Sequence, residues 1–89
     1  MISSAQLRAA RALLGIDQRE LARLARLSVP TIQRMEASDG VIRGNVDSLV
    51  KLISALERSG VEVIAEGAES RGLGRGVRLK VAAATRRRR

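Results

Sequence analysis

Four helix-start signals fall within the first 47 residues of this 89-residue chain, and they leave room for little besides short helices. Ser3 and Gln6 have capping-box spacing, in which the hydroxyl accepts from a first-turn amide while the longer side chain reaches back. Leu7, Ala10, Leu13 and Leu14 then recur at helical spacing, and Gly15 is placed to stop the helix in a left-handed conformation. Asp17 and Glu20 make a second box of the same form, opening a helix with Leu21, Leu24 and Ala25 on one face. Ser28 is a third cap, with Pro30 in the first turn, where its missing amide hydrogen costs little. That helix carries Thr31, Ile32, Met35 and Glu36 and fades near Ser38-Asp39-Gly40. A loop through Gly44 leads to a fourth helix capped by Asn45 or Asp47. Its stripe of Leu49, Leu52, Ile53 and Leu56 is a core face, and Gly60 ends it.

After Gly60 the period changes from helical to alternating. Val61 to Glu66 and Val77 to Val81 read as strands, joined by a glycine-rich connection, Gly67–Gly76, longer than a tight hairpin needs. Antiparallel pairing puts Glu62 and Glu66 on one face with Arg78 and Lys80. A lone two-stranded ribbon is barely stable in water, so it must pack on the helices or pair with a second chain. The sequence therefore divides into a mainly α, four-helix domain over 1–60, a β-ribbon over 61–81 that is a possible dimerisation element, and a disordered Arg-rich tail over 82–89.

Several chemistries are closed to this composition. The chain has no Cys, His, Phe, Trp or Tyr. The usual zinc sites, thiolate nucleophiles and Ser–His–Asp triads cannot be built, so no metal and no cofactor is expected. Disulfides are excluded too, which suits a reducing cytoplasm. Base stacking on aromatic rings, the main device of single-strand recognition, is unavailable. No apolar run approaches the ~18 residues of a membrane span, and no signal-peptide core follows Met1. Glu62, Glu66 and Glu69 lie in the ribbon and its loop without a pocket, and Gly72-Leu73-Gly74-Arg75-Gly76 lacks the strand-to-helix setting of a phosphate cradle. No enzyme is expected.

The segment from Gln18 to Ala37 has what two crossed helices with a tight turn require: the small Ala22 at the crossing, and Leu21, Leu27, Ile32 and Met35 spaced to pin the second helix. At Leu7-Arg8-Ala9-Ala10-Arg11, Leu14-Gly15-Ile16-Asp17-Gln18, Glu20-Leu21-Ala22, Ser28, Thr31-Ile32 and Glu36, the chain resembles the Cro/C1-type (XRE) helix-turn-helix regulators of bacteria and their phages, over roughly residues 4–58. The resemblance implies a repressor-like domain whose third helix enters the DNA major groove. It implies base-edge contacts from Val29, Pro30, Thr31, Gln33 and Arg34, and phosphate contacts from Gln18, Arg43 and Asn45. It also implies a structural ion pair between Arg11 and Glu36. Chemistry agrees at Gln18, since a helix N-terminus already attracts phosphate. Arg34 is equally suited to a guanine edge or a phosphate, and the Thr31 hydroxyl can instead bond back within its own turn. Two positions depart from the family: the turn residue that is usually glycine is Arg26, and the often polar start of the recognition helix is Val29-Pro30, which can touch only a thymine methyl.

The expected function is a sequence-specific double-stranded DNA-binding transcriptional regulator, cytoplasmic and nucleoid-associated, acting as a homodimer. The alternative is an antitoxin that binds a toxin protein through its C-terminal segment and autoregulates its promoter. The formal net charge of +8 is unevenly spread. Residues 1–46 carry seven basic and four acidic side chains, and residues 47–70 carry two and five. Residues 71–89 carry eight basic side chains and no acid, so the excess lies in the end of the connection, the second strand and the tail. Arg86, Arg87, Arg88 and Arg89 then form a nonspecific electrostatic arm for DNA.

Overall fold

In the computed structural model, which describes residues 2–80, four helices follow one another: α1 (Ser4–Leu14), α2 (Gln18–Ala25), α3 (Val29–Glu36) and α4 (Val46–Arg58). Each begins at a side-chain cap. Ser3 and Gln6 close a reciprocal box at α1. Asp17 caps α2 by accepting from the Glu20 amide at 2.8 Å. The Glu20 carboxylate does not return to Asp17, because it is drawn to Arg23 one turn on, so the second box is only half made. Ser28 caps α3 and Asn45, rather than Asp47, caps α4. Asp47 instead pairs with Lys51 at 3.2 Å.

The helix ends follow from backbone preference. Gly15 closes α1 at φ 69°, where a side chain would be strained. Arg26 closes α2 at φ 58°, ψ 43° and is the one non-glycine residue at positive φ among those described.

Helix α2 packs on both α3 and α4, and α1 packs on α3. The core gathers Leu7, Ala10, Leu21, Ala22, Ile32, Met35, Leu52 and Leu56. Burying side chains of this size stabilises by about 1.5–3 kcal/mol each relative to leaving them in water. Leu13 departs from the apolar stripe of α1 and is 54% exposed, with Leu14 taking the inward position beside it. Two core members lie outside the helices, Ile2 and Ile42. They are held by a short antiparallel bridge between Ser3 and Val41, with the Ser4 amide on the Gly40 carbonyl (2.8 Å) and the Ile42 amide on that of Ile2 (3.2 Å).

Beyond Gly60 there is no strand and no ladder joins the two alternating segments among the described residues, so the expected β-ribbon is not observed there. Val61 and Val63 do pack against the core, and Gln6 Nε2 donates to the Ile64 carbonyl at 2.8 Å. The carboxylate expected to face the second segment is engaged elsewhere, and Arg78 of that segment meets the Ala68 and Ala65 carbonyls through its side chain alone. Glu62 accepts instead from Ser70 Oγ (2.8 Å) and from the amides of Arg71 (2.7 Å) and Gly72 (3.1 Å). These bonds close residues 62–72 into a loop. Residues 73–80 emerge beyond it with Leu73, Val77 and Leu79 exposed. Residue 81 and the tail, with Arg86–Arg89, lie outside the described residues.

Candidate nucleic-acid interface

Three residues, Arg26-Leu27-Ser28, connect α2 to α3. So tight a turn is possible because Ala22 brings little bulk to the crossing and because the chain reverses through the left-handed Arg26. The Leu27 amide then closes on the Ala22 carbonyl at 2.9 Å, and Leu27 packs against the core. The Ser28 hydroxyl accepts from the Thr31 amide at 3.2 Å, and Pro30 fills the first turn, where no amide is needed.

Helix α3 is fixed by one face and free on the other. Ile32, Met35 and Glu36 are buried, whereas Pro30, Gln33 and Arg34 are exposed. Val29 is half-buried and packs against the core, so less of it is presented than the sequence suggests. The Thr31 hydroxyl is engaged within its own turn, 2.8 Å from Ser28 Oγ, and Arg34 Nη2 approaches it at 3.4 Å. Gln33 and Arg34 therefore carry the polar chemistry of the outer face.

Glu36 forms the polar joint behind this face. Its side chain is 4% exposed, and it accepts from Arg11 Nε (2.5 Å), Arg11 Nη2 (2.9 Å) and Gln18 Nε2 (3.0 Å). Burial alone would raise its carboxyl, but the hydrogen bonds from Arg11 and Gln18 and the charges of Arg11 and Arg8 outweigh burial and hold it below its ordinary value. Its hydrogen bond to Glu36 in turn raises Arg11. Arg8, which sequence reasoning did not assign, donates from Nη1 to the Glu36 backbone carbonyl at 2.5 Å, satisfying an orphan acceptor at the end of α3. Its signals in the sequence are its place in the Leu7–Arg11 stretch and its position one turn before Arg11. Three helices thus meet at one carboxylate: α1 through Arg11, α2 through Gln18, and α3 itself.

The joint engages Gln18, which stands half-buried at the first position of α2 with one amide hydrogen spent on Glu36. Its other hydrogen and its oxygen remain for an external group. Arg43 is exposed in the loop before α4. Asn45 is also exposed, and its Oδ1 accepts from the Ser48 amide at 2.7 Å, which leaves the side-chain NH2 as its outward donor.

A helix-turn-helix family model of the Cro/C1 type matches residues 7–63, well over half of the chain. The chain belongs to the Cro/C1-type helix-turn-helix family. No curated protein and no solved structure matches it. In this helix-turn-helix protein the matched span takes in all of α2 to α4 and the first extended residues, and it stops before the exposed 73–80 segment. The family makes it a DNA-binding regulator. Among the described residues, no helix is long and apolar enough to cross a membrane, and no cluster of acidic side chains could hold a metal ion.

Proposed function

We propose that the protein is a sequence-specific transcriptional regulator that binds double-stranded DNA as a homodimer at the bacterial nucleoid, laying the N-terminal half of α3 in the major groove. The observation that carries this reading is the division of α3 into a buried face and an exposed one. Ile32, Met35 and Glu36 fix its orientation, and Pro30, Gln33 and Arg34 are left outward. The major groove admits a helix presented in this way.

Each residue then has a role its geometry allows. Arg34 reads a guanine edge, Gln33 an adenine, and the exposed face of Pro30 with the edge of Val29 touches a thymine methyl. Thr31 orients Arg34 through its hydroxyl and offers its methyl to the groove. Gln18 and Asn45 donate to phosphates with the hydrogens their internal bonds leave over, and Arg43 adds a charge contact. Arg86–Arg89 attract DNA without reading it. A single subunit with so few readers binds weakly, and two half-sites about 34 Å apart multiply the affinity.

Selection of binding sites from random duplexes tests the proposal. The expected yield is a two-fold symmetric site with half-sites one turn apart. Arg34→Ala should cost about 1–3 kcal/mol at one G·C pair per half-site and little elsewhere. A uniform loss over all sequences would reduce Arg34 to a phosphate contact. Enrichment of no sequence at all would overturn the reading.

A further inference from the structure

We propose that residues 76–80 of one chain add as an antiparallel strand to residues 62–66 of a second copy, so that two chains exchange their C-terminal segments across a two-fold axis. The proposal rests on the dimeric DNA-binding reading above and identifies its interface.

The two segments are complementary and not paired with each other, although the Ile64 and Ala65 carbonyls accept from Gln6 Nε2 and the Ala68 amide. No backbone hydrogen bond joins residues 61–66 to 76–80 among the described residues, and the amides of Glu62 to Ala65 donate to no backbone carbonyl there. Such an edge is a template for another strand. Residues 61–70 carry Glu62, Glu66 and Glu69 with no base, and residues 71–80 carry Arg71, Arg75, Arg78 and Lys80 with no acid. Val77 and Leu79 stand 82% and 57% exposed. Register follows from the alternation. Val63 opposite Leu79 and Ala65 opposite Val77 put apolar pairs on the face that Val63 already turns to the core. Glu62 then lies opposite Lys80, and Arg78, opposite Ile64, is diagonal to both Glu62 and Glu66.

Pairing within one chain is opposed by bonds already made. The three donors that Glu62 takes from residues 70–72 turn the connection back on itself. Arg78 reaches the Ala68 carbonyl at 2.6 Å and the Ala65 carbonyl at 3.5 Å, both through its side chain and not through a backbone ladder. The arm of a second copy reaches the edge without having to turn back through this connection. The match of an acidic edge to a basic arm is also self-complementary, as a two-fold interface requires.

Charge exchange between two full-length variants tests this by sedimentation equilibrium, with helicity followed by circular dichroism. One variant carries Arg78→Glu and Lys80→Glu, the other Glu62→Lys and Glu66→Lys. Wild-type protein should dimerise. Each variant alone should dimerise at least tenfold more weakly, with its helices intact, because like charges then face each other. An equimolar mixture should recover dimers, since each arm now meets an edge of opposite sign. Because Glu62 also holds the 70–72 loop, the same mixing is made with Arg78→Glu and Glu66→Lys singly, and a smaller rescue is expected. Variants that dimerise like wild type, or a mixture no tighter than its parts, would overturn the exchange. So would a monomeric wild-type protein. In that case binding of the monomer to a half-site duplex, measured separately, still reads the DNA-binding function on its own.

Discussion

Replacing Arg11 with methionine removes two of the three donors that hold the buried Glu36 carboxylate and leaves Gln18 Nε2 as its remaining partner. It also frees the Ile16 carbonyl, which Arg11 Nη1 reaches at 3.2 Å. Breaking a buried pair from one side costs about 3–5 kcal/mol. The lower end applies here, because the Arg11 side chain keeps 22% of its surface in water. A loss of about 3 kcal/mol is a large share of the roughly 4–13 kcal/mol available to a chain of this size. In the wild-type fold Glu36 is held below its ordinary range, so its contribution is fully present above that range and is lost as pH falls through the folded value. In Arg11→Met, burial is no longer outweighed, the carboxyl moves up, and acid relieves the penalty by neutralising it. The stability gap between wild type and variant should therefore narrow from pH 7 to pH 4. Urea unfolding followed by circular dichroism at both pH values measures it. Arg11→Met with Glu36→Met should recover most of the loss, because no charge is then stranded. A loss under about 1 kcal/mol at pH 7, or a gap that fails to narrow, would refute the account of Glu36 as a buried electrostatic joint.

Arg26→Gly should stabilise by about 0.5–1 kcal/mol, from a left-handed cost of ~1–2 kcal/mol less ~0.4–1 kcal/mol of chain entropy that glycine adds to the unfolded state; a thermal midpoint raised by about 4 °C is the readout. Asn45→Asp keeps the α4 cap and removes the donor turned outward, so stability should hold while DNA affinity falls; a parallel fall in stability would show that Asn45 acts as a cap alone. Deleting Arg86–Arg89 should lower the salt dependence of DNA binding by up to ~0.9 for each phosphate the arginines had neutralised, with the preferred sequence unchanged. A salt slope that stays put would leave those arginines no part in DNA attraction.

The helical body was legible because its signals are local. Caps, αL stops and the 3.6-residue stripes lie within one or two turns of the residues they govern, so α1 to α4 and most of their buried faces could be read directly. Ile2 and Ile42 were not legible as core, since their burial depends on a bridge between Ser3 and Val41, nearly forty residues apart. The ribbon, not observed among the described residues, depends on distant partners in the same way. Period-2 alternation records which faces a segment can present, and it does not record which backbone will come to pair with them. The carboxylate of Glu62, which alternation sets against basic side chains of the far segment, is taken by amides of its own loop. At the DNA-facing helix, the exposure of Gln33 and Arg34 follows from helical period, but the inward lean of Val29 and the engagement of Thr31 with Ser28 depend on the turn geometry.

Gln6 does two jobs with one amide. Its oxygen accepts from the Ser3 amide at 2.9 Å while its nitrogen holds the Ile64 carbonyl, 58 residues later. The start of the first helix and the strand-like segment after the last are thereby clasped by a single planar group, which cannot turn to improve one bond without spoiling the other. Across the change of pattern at Gly60, Val61, Val63 and Ile64 still touch the helical part. The segment after α4 is thus anchored on the first turn of α1, the same helix whose Arg11 holds Glu36 of the recognition helix.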